Sequence, residues 1–391
     1  MRKDWEYKKL GDIITPAKVI KNGDRIDYPI LSITMRSGII LQNERFKKTI
    51  ASVDTSNYKI VQNGQLVIAF PIDEGLIYTQ DIVEAGIMSP AYNIWNIDYS
   101  EMNRRFLVTY LHSPYAMSYY KSKLRGTTMR RRSIPKADLL DLTVPFPPMD
   151  KQVKIIEELD KINELIRLKK EQLKDFDNLA QSIFYEMFGD PVENERGWEV
   201  KKLGEICEVT SAKRVFIDEV VESGVPFIRG TELTALSKLV PGEEMDYTLF
   251  ITYEHYKRLK AITGVPRIGD LLIPSINADG IVWMVDTEDP LYFKDGRVLW
   301  VHVNHEYFNS IAIQKLMNVL IKNVFFSMGG ATFAELKLFV LRNMIVPTPP
   351  LSVQNAFSEK IKQIDDQKLR VKKSITDLET LLASRMQYWF E

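Results

Sequence analysis

The chain has one cysteine, Cys207, among 391 residues. A single thiol closes no internal disulfide and builds no cysteine-cluster metal site, so neither framework holds this fold. Histidine is scarce as well, with four in all. His302 and His305 fall on opposite faces of a strand-like run and do not read as a ligand pair. Long apolar runs are missing: the most apolar stretch, 311–328, is interrupted by Lys315 and Lys322, which excludes a membrane span. The opening Met1-Arg2-Lys3-Asp4-Trp5 has no leader character, so the reading is a soluble, cytoplasmic protein away from any membrane.

Net charge is also absent, with 52 Lys+Arg against 52 Asp+Glu. The total conceals an asymmetry. Residues 1–149 carry 21 basic and 15 acidic side chains, a net of +6, whereas residues 191–347 carry 17 and 21, a net of −4. The first half is therefore suited to a polyanion by bulk charge, and the second only if its cations gather on one face.

No catalytic set is legible. There is no phosphate loop ending in Gly-Lys-Ser/Thr and no Gly-x-Gly-x-x-Gly after a strand. Ser89-Pro90-Ala91-Tyr92 is the nearest approach to the turn with which DNA amino-methyltransferases hold an exocyclic nitrogen, and it lacks the first amide or acid and the second proline. The reading is a chain without catalytic residues and without a cofactor of its own.

What the chain does contain, it contains twice. Trp5-Glu6-Tyr7-Lys8-Lys9-Leu10-Gly11-Asp12-Ile13 returns as Trp198-Glu199-Val200-Lys201-Lys202-Leu203-Gly204-Glu205-Ile206. Val144-Pro145-Phe146-Pro147-Pro148 returns as Val346-Pro347-Thr348-Pro349-Pro350, with Gln152 and Gln354 four residues after each Pro-Pro. The period is too long for a solenoid unit, so this is a duplicated domain.

Each Pro-Pro opens a run of heptads. Leu159, Ile162, Ile166, Lys169, Leu173, Phe176, Ala180, Ile183 and Met187 alternate spacings of three and four. Ile361, Ile364, Lys368, Val371, Ile375, Leu378, Leu382, Arg385 and Trp389 do the same. Sustained spacing of this kind predicts a coiled-coil seam, with Lys169, Lys368 and Arg385 as polar interruptions that snorkel or pair with acids. Between the helices, each block shows short β-like runs, among them 64–69 and 269–274, and later a helix-like segment, 104–123 and 307–325. The boundaries read as 1–148, first domain; 149–190, first helix; 191–349, second domain; and 350–391, second helix. The fold class is α+β, two mixed α/β domains with a pair of long helices and an internal repeat.

Candidate binding residues follow from charge and hydrogen-bonding capacity. In the first block, Arg125, Arg130, Arg131 and Arg132 flank Gly126-Thr127-Thr128, and Arg36, Lys47 and Lys48 add further cations. Such residues neutralise phosphates, and arginine also forks onto guanine. In the second block Lys213, Arg214, Arg229, Arg258 and Arg297 are dispersed, while Asn277 and Thr332 suit either a base edge or a turn.

Assembled, these features resemble the specificity subunit of a type I restriction–modification system. The resemblance rests on the Trp-x-x-x-x-Leu-Gly openings at 5–11 and 198–204, the Gly-x-Leu/Val-x-Ile strands at 64–68 and 269–273, and the Pro-Pro-x-x-x-Gln motifs at 148–152 and 350–354. It implies two target-recognition domains, each reading one part of a bipartite, asymmetric site on double-stranded DNA, and an antiparallel coil acting as a ruler. It further implies two modification subunits that carry S-adenosylmethionine and methylate adenine. Restriction subunits with ATP and Mg would join them.

Overall fold

The computed structural model describes residues 5–23, 28–35, 37–45, 54–125, 133–239, 245–327 and 335–391. The chain packs into two compact units, Met1–Leu168 with Ile375–Glu391, and Lys169–Ser374. Both long helices form as the heptads require: Met149–Phe188 and Leu351–Phe390, each of 40 residues. They begin directly after Pro148 and Pro350, where a missing backbone N–H costs nothing. The first stops at Gly189, whose φ of 71° supplies the left-handed cap that ends a helix.

Every seam position predicted from the heptads is buried or half-buried, from Leu159 at 2% and Ile361 at 3% exposed to the partly covered Leu173, Phe176, Ile183, Leu378 and Leu382. Ile162, Ile166, Ile364, Val371 and Ile375 are buried. Two polar interruptions find acids on the opposite helix, and in each unit the pairing is antiparallel. In the first unit the Arg385 guanidinium holds both oxygens of Glu158, through Nε and, at 3.1 Å, through Nη2; Trp389 Nε1 adds a third bond at 3.2 Å. The hydrogen bond from Arg385 holds the Glu158 carboxyl below the usual carboxylate range, against the opposing effect of its partial burial. In the second unit Lys368 Nζ lies 2.6 Å from Asp177. Lys169 instead donates to Gln172 of its own helix, at 3.2 Å.

The duplication preserves one shared frame of sheets. Each unit holds a four-stranded antiparallel sheet with one order of strands: Ile14–Pro16, Asn93–Ile97, Leu66–Ile68, Ile77–Thr79 in the first, and Glu208–Ser211, Val298–His302, Leu271–Pro274, Trp283–Met284 in the second. Each also holds a two-stranded sheet joining the repeated opening to the strand before Pro-Pro, Glu6–Lys9 with Thr143–Phe146 and Val200–Lys202 with Ile345–Pro347. Glycines at 64 and 269, with φ of 85° and 91°, turn the chain into the two buried central strands, which is the role the sequence predicts.

The repeated motifs now have physical roles. Leu10 and Leu203 are fully buried and donate backbone N–H bonds to Leu142 and Met344, at 2.8 and 2.9 Å. The glycine after each must be bare: a Cβ on Gly204 would lie 3.0 Å from the Arg342 carbonyl oxygen, and one on Gly11 3.1 Å from Leu140 Cβ. Trp5 stacks on Trp389 at 6.2 Å, and Trp198 Nε1 donates to the Phe188 carbonyl at 3.0 Å.

The glutamines are the most fully used. Gln152 Nε2 donates to the carbonyls of Glu101 and Pro147, at 2.9 and 2.8 Å, and its Oε1 accepts from Asn103 N–H at 2.8 Å. Gln354 repeats the set with Tyr307, Pro349 and Asn309, at 2.8, 2.7 and 2.9 Å. Asn103 and Asn309 in turn cap the helices that follow them, accepting N–H bonds from residues two and three positions on.

Outside this shared frame the units differ. The first adds two two-stranded sheets, Leu31–Thr34 with Gly38–Leu41 and Lys59–Gln62 with Ala85–Met88. The second adds a four-stranded sheet containing one parallel pairing, Val225–Ile228 with Tyr292–Phe293. The helix-like segment 307–325 is one helix, Ser310–Ser327. Its counterpart 104–123 is two, Arg104–Leu111 and Pro114–Lys123, because Pro114 cannot continue a helix and Ser113 caps a new one.

Two outcomes are expected. Replacing Gln152 with Leu strands one N–H and two carbonyls, a cost of roughly 2–4 kcal/mol. Hydrogen exchange should report lost protection in the first unit only, and Gln354→Leu should do the same in the second only. The Arg385–Glu158 pair, partly open to solvent, should couple by about 1 kcal/mol in a double-mutant cycle. Because the Glu158 pKa is depressed by folding, that coupling is present at neutral pH and fades as pH falls through the lowered value.

Candidate nucleic-acid interface

The two shared sheets create the same opening in each unit. The central strand ends beside the start of its neighbour, 66–68 beside 93–97 and 271–274 beside 298–302, and the second residue beyond each strand end, Phe70 or Ile276, is exposed. In the second unit this forms a cleft of about 650 Å³ lined by Arg229, Gly230, Thr231, Thr234, Pro274, Ser275, Ile276, Lys294 and Arg297. In the first it forms one of about 290 Å³, whose mouth carries Phe70, Asn93, Ser133 and Lys136 over a floor that includes Ile68, Trp95 and Leu139.

The chemistry of the two differs. The second cleft gathers three cations that the sequence scatters over 69 positions. Arg229 is held by Glu232: its backbone N–H and Nε donate to Oε2, both at 3.1 Å, and Nη2 donates to Oε1 at 2.6 Å. Glu232 is 8% exposed and also accepts from Thr231 Oγ1 at 2.9 Å. Burial works against its charge, but the bonds from Arg229, Thr231 and the backbone outweigh that and hold its pKa at about 2. Arg297 meets Glu335 at 3.3 Å, and Lys294 is exposed. In the first cleft the Lys136 ammonium stands 5.3 Å from the Trp95 ring centroid, and Phe70 is 42% exposed.

Of the residues proposed from sequence, Arg229 and Arg297 come together in this cleft. Lys213 and Arg214 do not line it; both are exposed, and Arg214 Nε bonds Asp295 at 3.1 Å. Arg258 shares Glu219 with His255, each at 3.6 Å. Asn277 is buried and spends its amide on its own turn, exchanging two 2.6 Å bonds with the Ile281 backbone. Arg125 pairs with Asp138 at 3.3 Å, and its backbone exchanges two 3.1 Å bonds with Ser133, at the mouth of the first cleft. Arg36, Lys47, Lys48, Thr127, Thr128, Arg130, Arg131, Arg132 and Thr332 lie outside the described residues.

Sequence reasoning missed Lys294, Glu232, Lys136, Phe70 and Asn93. The usable signal was the repeated Gly-x-Leu/Val-x-Ile strand, since both clefts open at its carboxyl end.

Comparison with known proteins places this architecture. The family pattern "Type I restriction modification DNA specificity domain" matches residues 2–175 and again 195–380. The type I restriction enzyme MjaIX specificity subunit of Methanocaldococcus jannaschii is 22% identical, over 97% of this chain and 91% of its own. A putative type I specificity subunit of Haemophilus influenzae is 25% identical, over 74% and 71%. Among solved structures, one described as the structural basis of complex assembly and conformational transition of the type I R-M system matches with a TM-score of 0.66. It is 17% identical and covers 100% of this chain and 98% of that one. The S subunit of M. genitalium gives 0.51 at 14% identity, over 99% and 96%. Because the family pattern recurs over both copies of the repeat and nearly the whole chain, the protein belongs to the type I restriction–modification DNA specificity family.

Proposed function

We propose that each unit reads one part of a bipartite DNA site through the cleft at the carboxyl end of its central strand, and that the two parts are unlike. The observation that carries this reading is positional identity with chemical difference. Both clefts sit at the same place on the same four-stranded sheet, one lined by Arg229, Lys294 and Arg297 and the other by Phe70, Asn93 and Lys136. A specificity subunit is the DNA-recognition component of its system rather than the catalyst. Methyl transfer to adenine, with S-adenosylmethionine, therefore falls to modification subunits, two in number on this reading, and ATP- and Mg-dependent cleavage to restriction subunits.

Within the second cleft the cations have separable tasks. Lys294 and Arg297 are exposed and suit phosphate contact, which positions a protein on the duplex without reading it. The small hydroxyl residues Thr231 and Thr234 leave room for a base edge to approach.

Adenine-methylation mapping in cells carrying this chain with its modification partner should return a motif of two unlike parts with an unread spacer; a palindromic or undivided motif overturns the reading. The double variant Lys294→Ala/Arg297→Ala should weaken binding to cognate and unrelated duplexes alike. It should flatten the dependence of log affinity on log salt by about 2. A change in the recognised sequence instead would reassign these two residues to base reading.

A further inference from the structure

We propose that Arg229 is a guanine-reading residue of the second unit, presented to a major-groove base edge by the buried carboxylate of Glu232. This rests on the DNA-recognition reading above and adds to it a residue, a base and an orientation.

A guanidinium carries five N–H donors in a rigid plane. Glu232 takes the Nε donor and one Nη2 donor. The second Nη2 hydrogen and the Nη1 hydrogen parallel to it form the end-on edge of the fork. No partner among the described residues takes them, and the side chain remains 43% exposed at the cleft. Two parallel donors on that edge match guanine O6 and N7, the pairing arginine makes most often in the major groove.

The buttress argues against a phosphate contact. Pairing with Glu232 cancels most of the net charge, which is what a phosphate contact uses, and preserves directed donors, which is what a base edge uses. It also holds the long side chain in one direction before DNA arrives, lowering the ordering cost of recognition. Lys294 and Arg297 show the contrast: among the described residues neither is clamped by a buried carboxylate, Arg297 meeting only Glu335, itself 40% exposed, through Nη1 at 3.3 Å. Arg229 belongs to the second unit, so the guanine lies in the half-site which that unit reads.

The test uses the full chain assembled with its modification subunits. Methylation mapping should show a G·C pair in one half-site. Arg229→Lys keeps the charge and loses the fork, and should relax that one position by about ten- to a hundred-fold, leaving the other half-site intact and the salt slope unchanged. Glu232→Gln should relax the same position, because the fork loses its charged clamp. Replacing that guanine with 7-deazaguanine removes the N7 acceptor without touching the protein. It should weaken the wild type about ten-fold and weaken Arg229→Lys little further. Uniform weakening on every sequence with a flatter salt slope makes Arg229 a phosphate contact and overturns the proposal. So does indifference of the wild type to 7-deazaguanine at every guanine of its motif. If the wild-type complex methylates without sequence preference, the recognition reading itself has failed.

Discussion

A single buried amide at the start of each long helix joins the parts of its unit. Gln152 and Gln354 each bind the turn before their own helix, the carbonyl of a residue preceding the domain helix earlier in the chain, and the N–H of the asparagine that caps it. One side chain thus fixes where the long helix begins and where the domain helix begins. The amide itself is fully buried in both units, where an unmet group is costly. The sheet packs on the helices so positioned, and the cleft at its strand end inherits that placement.

The shared frame and the unlike clefts divide the unit into two kinds of surface. Residues that recur in both copies, Leu10 and Leu203, Gly11 and Gly204, Gln152 and Gln354, are buried or pressed against backbone, and a substitution at any of them is felt by the whole unit. The side chains at the cleft mouths, Phe70 and Lys136 in one unit and Lys294 and Arg297 in the other, are exposed and can change without disturbing the hydrogen-bonded ladder. Recognition varies on a frame that does not.

Much of the frame was legible because it is written locally. Heptads, Pro-Pro helix starts and Gly turns each act within a few residues, and repetition confirmed them. The α+β class and the antiparallel coil followed. The clefts were not legible, because Arg229 and Arg297 are 68 positions apart and meet only through a parallel strand pairing that no periodicity announces. Glu232 carries no local signature in the sequence; its burial and its grip on Arg229 are properties of the packed cleft. Asn277 shows the reverse, a base-reading type of residue closing its own turn. The break at Pro114 was written in the sequence, yet the surrounding periodicity masked it.

The polar contacts in the seam break the two-fold relation of the repeat. Arg385 and Lys368 face Glu158 and Asp177, but the residues that correspond to them in the first helix are Ile183 and Ile166. Two copies of the first helix, paired in the same antiparallel register, would set Glu158 against Ile183 and Asp177 against Ile166, two carboxylates flanking the seam with no cation opposite them. Both acids keep contact with water, Asp177 at 65% and Glu158 at 34% exposed, so each lost pair costs about 0–1 kcal/mol. The seam therefore tilts, by the small worth of these two pairs, toward pairing a helix of this chain with its unlike sister rather than with its own twin.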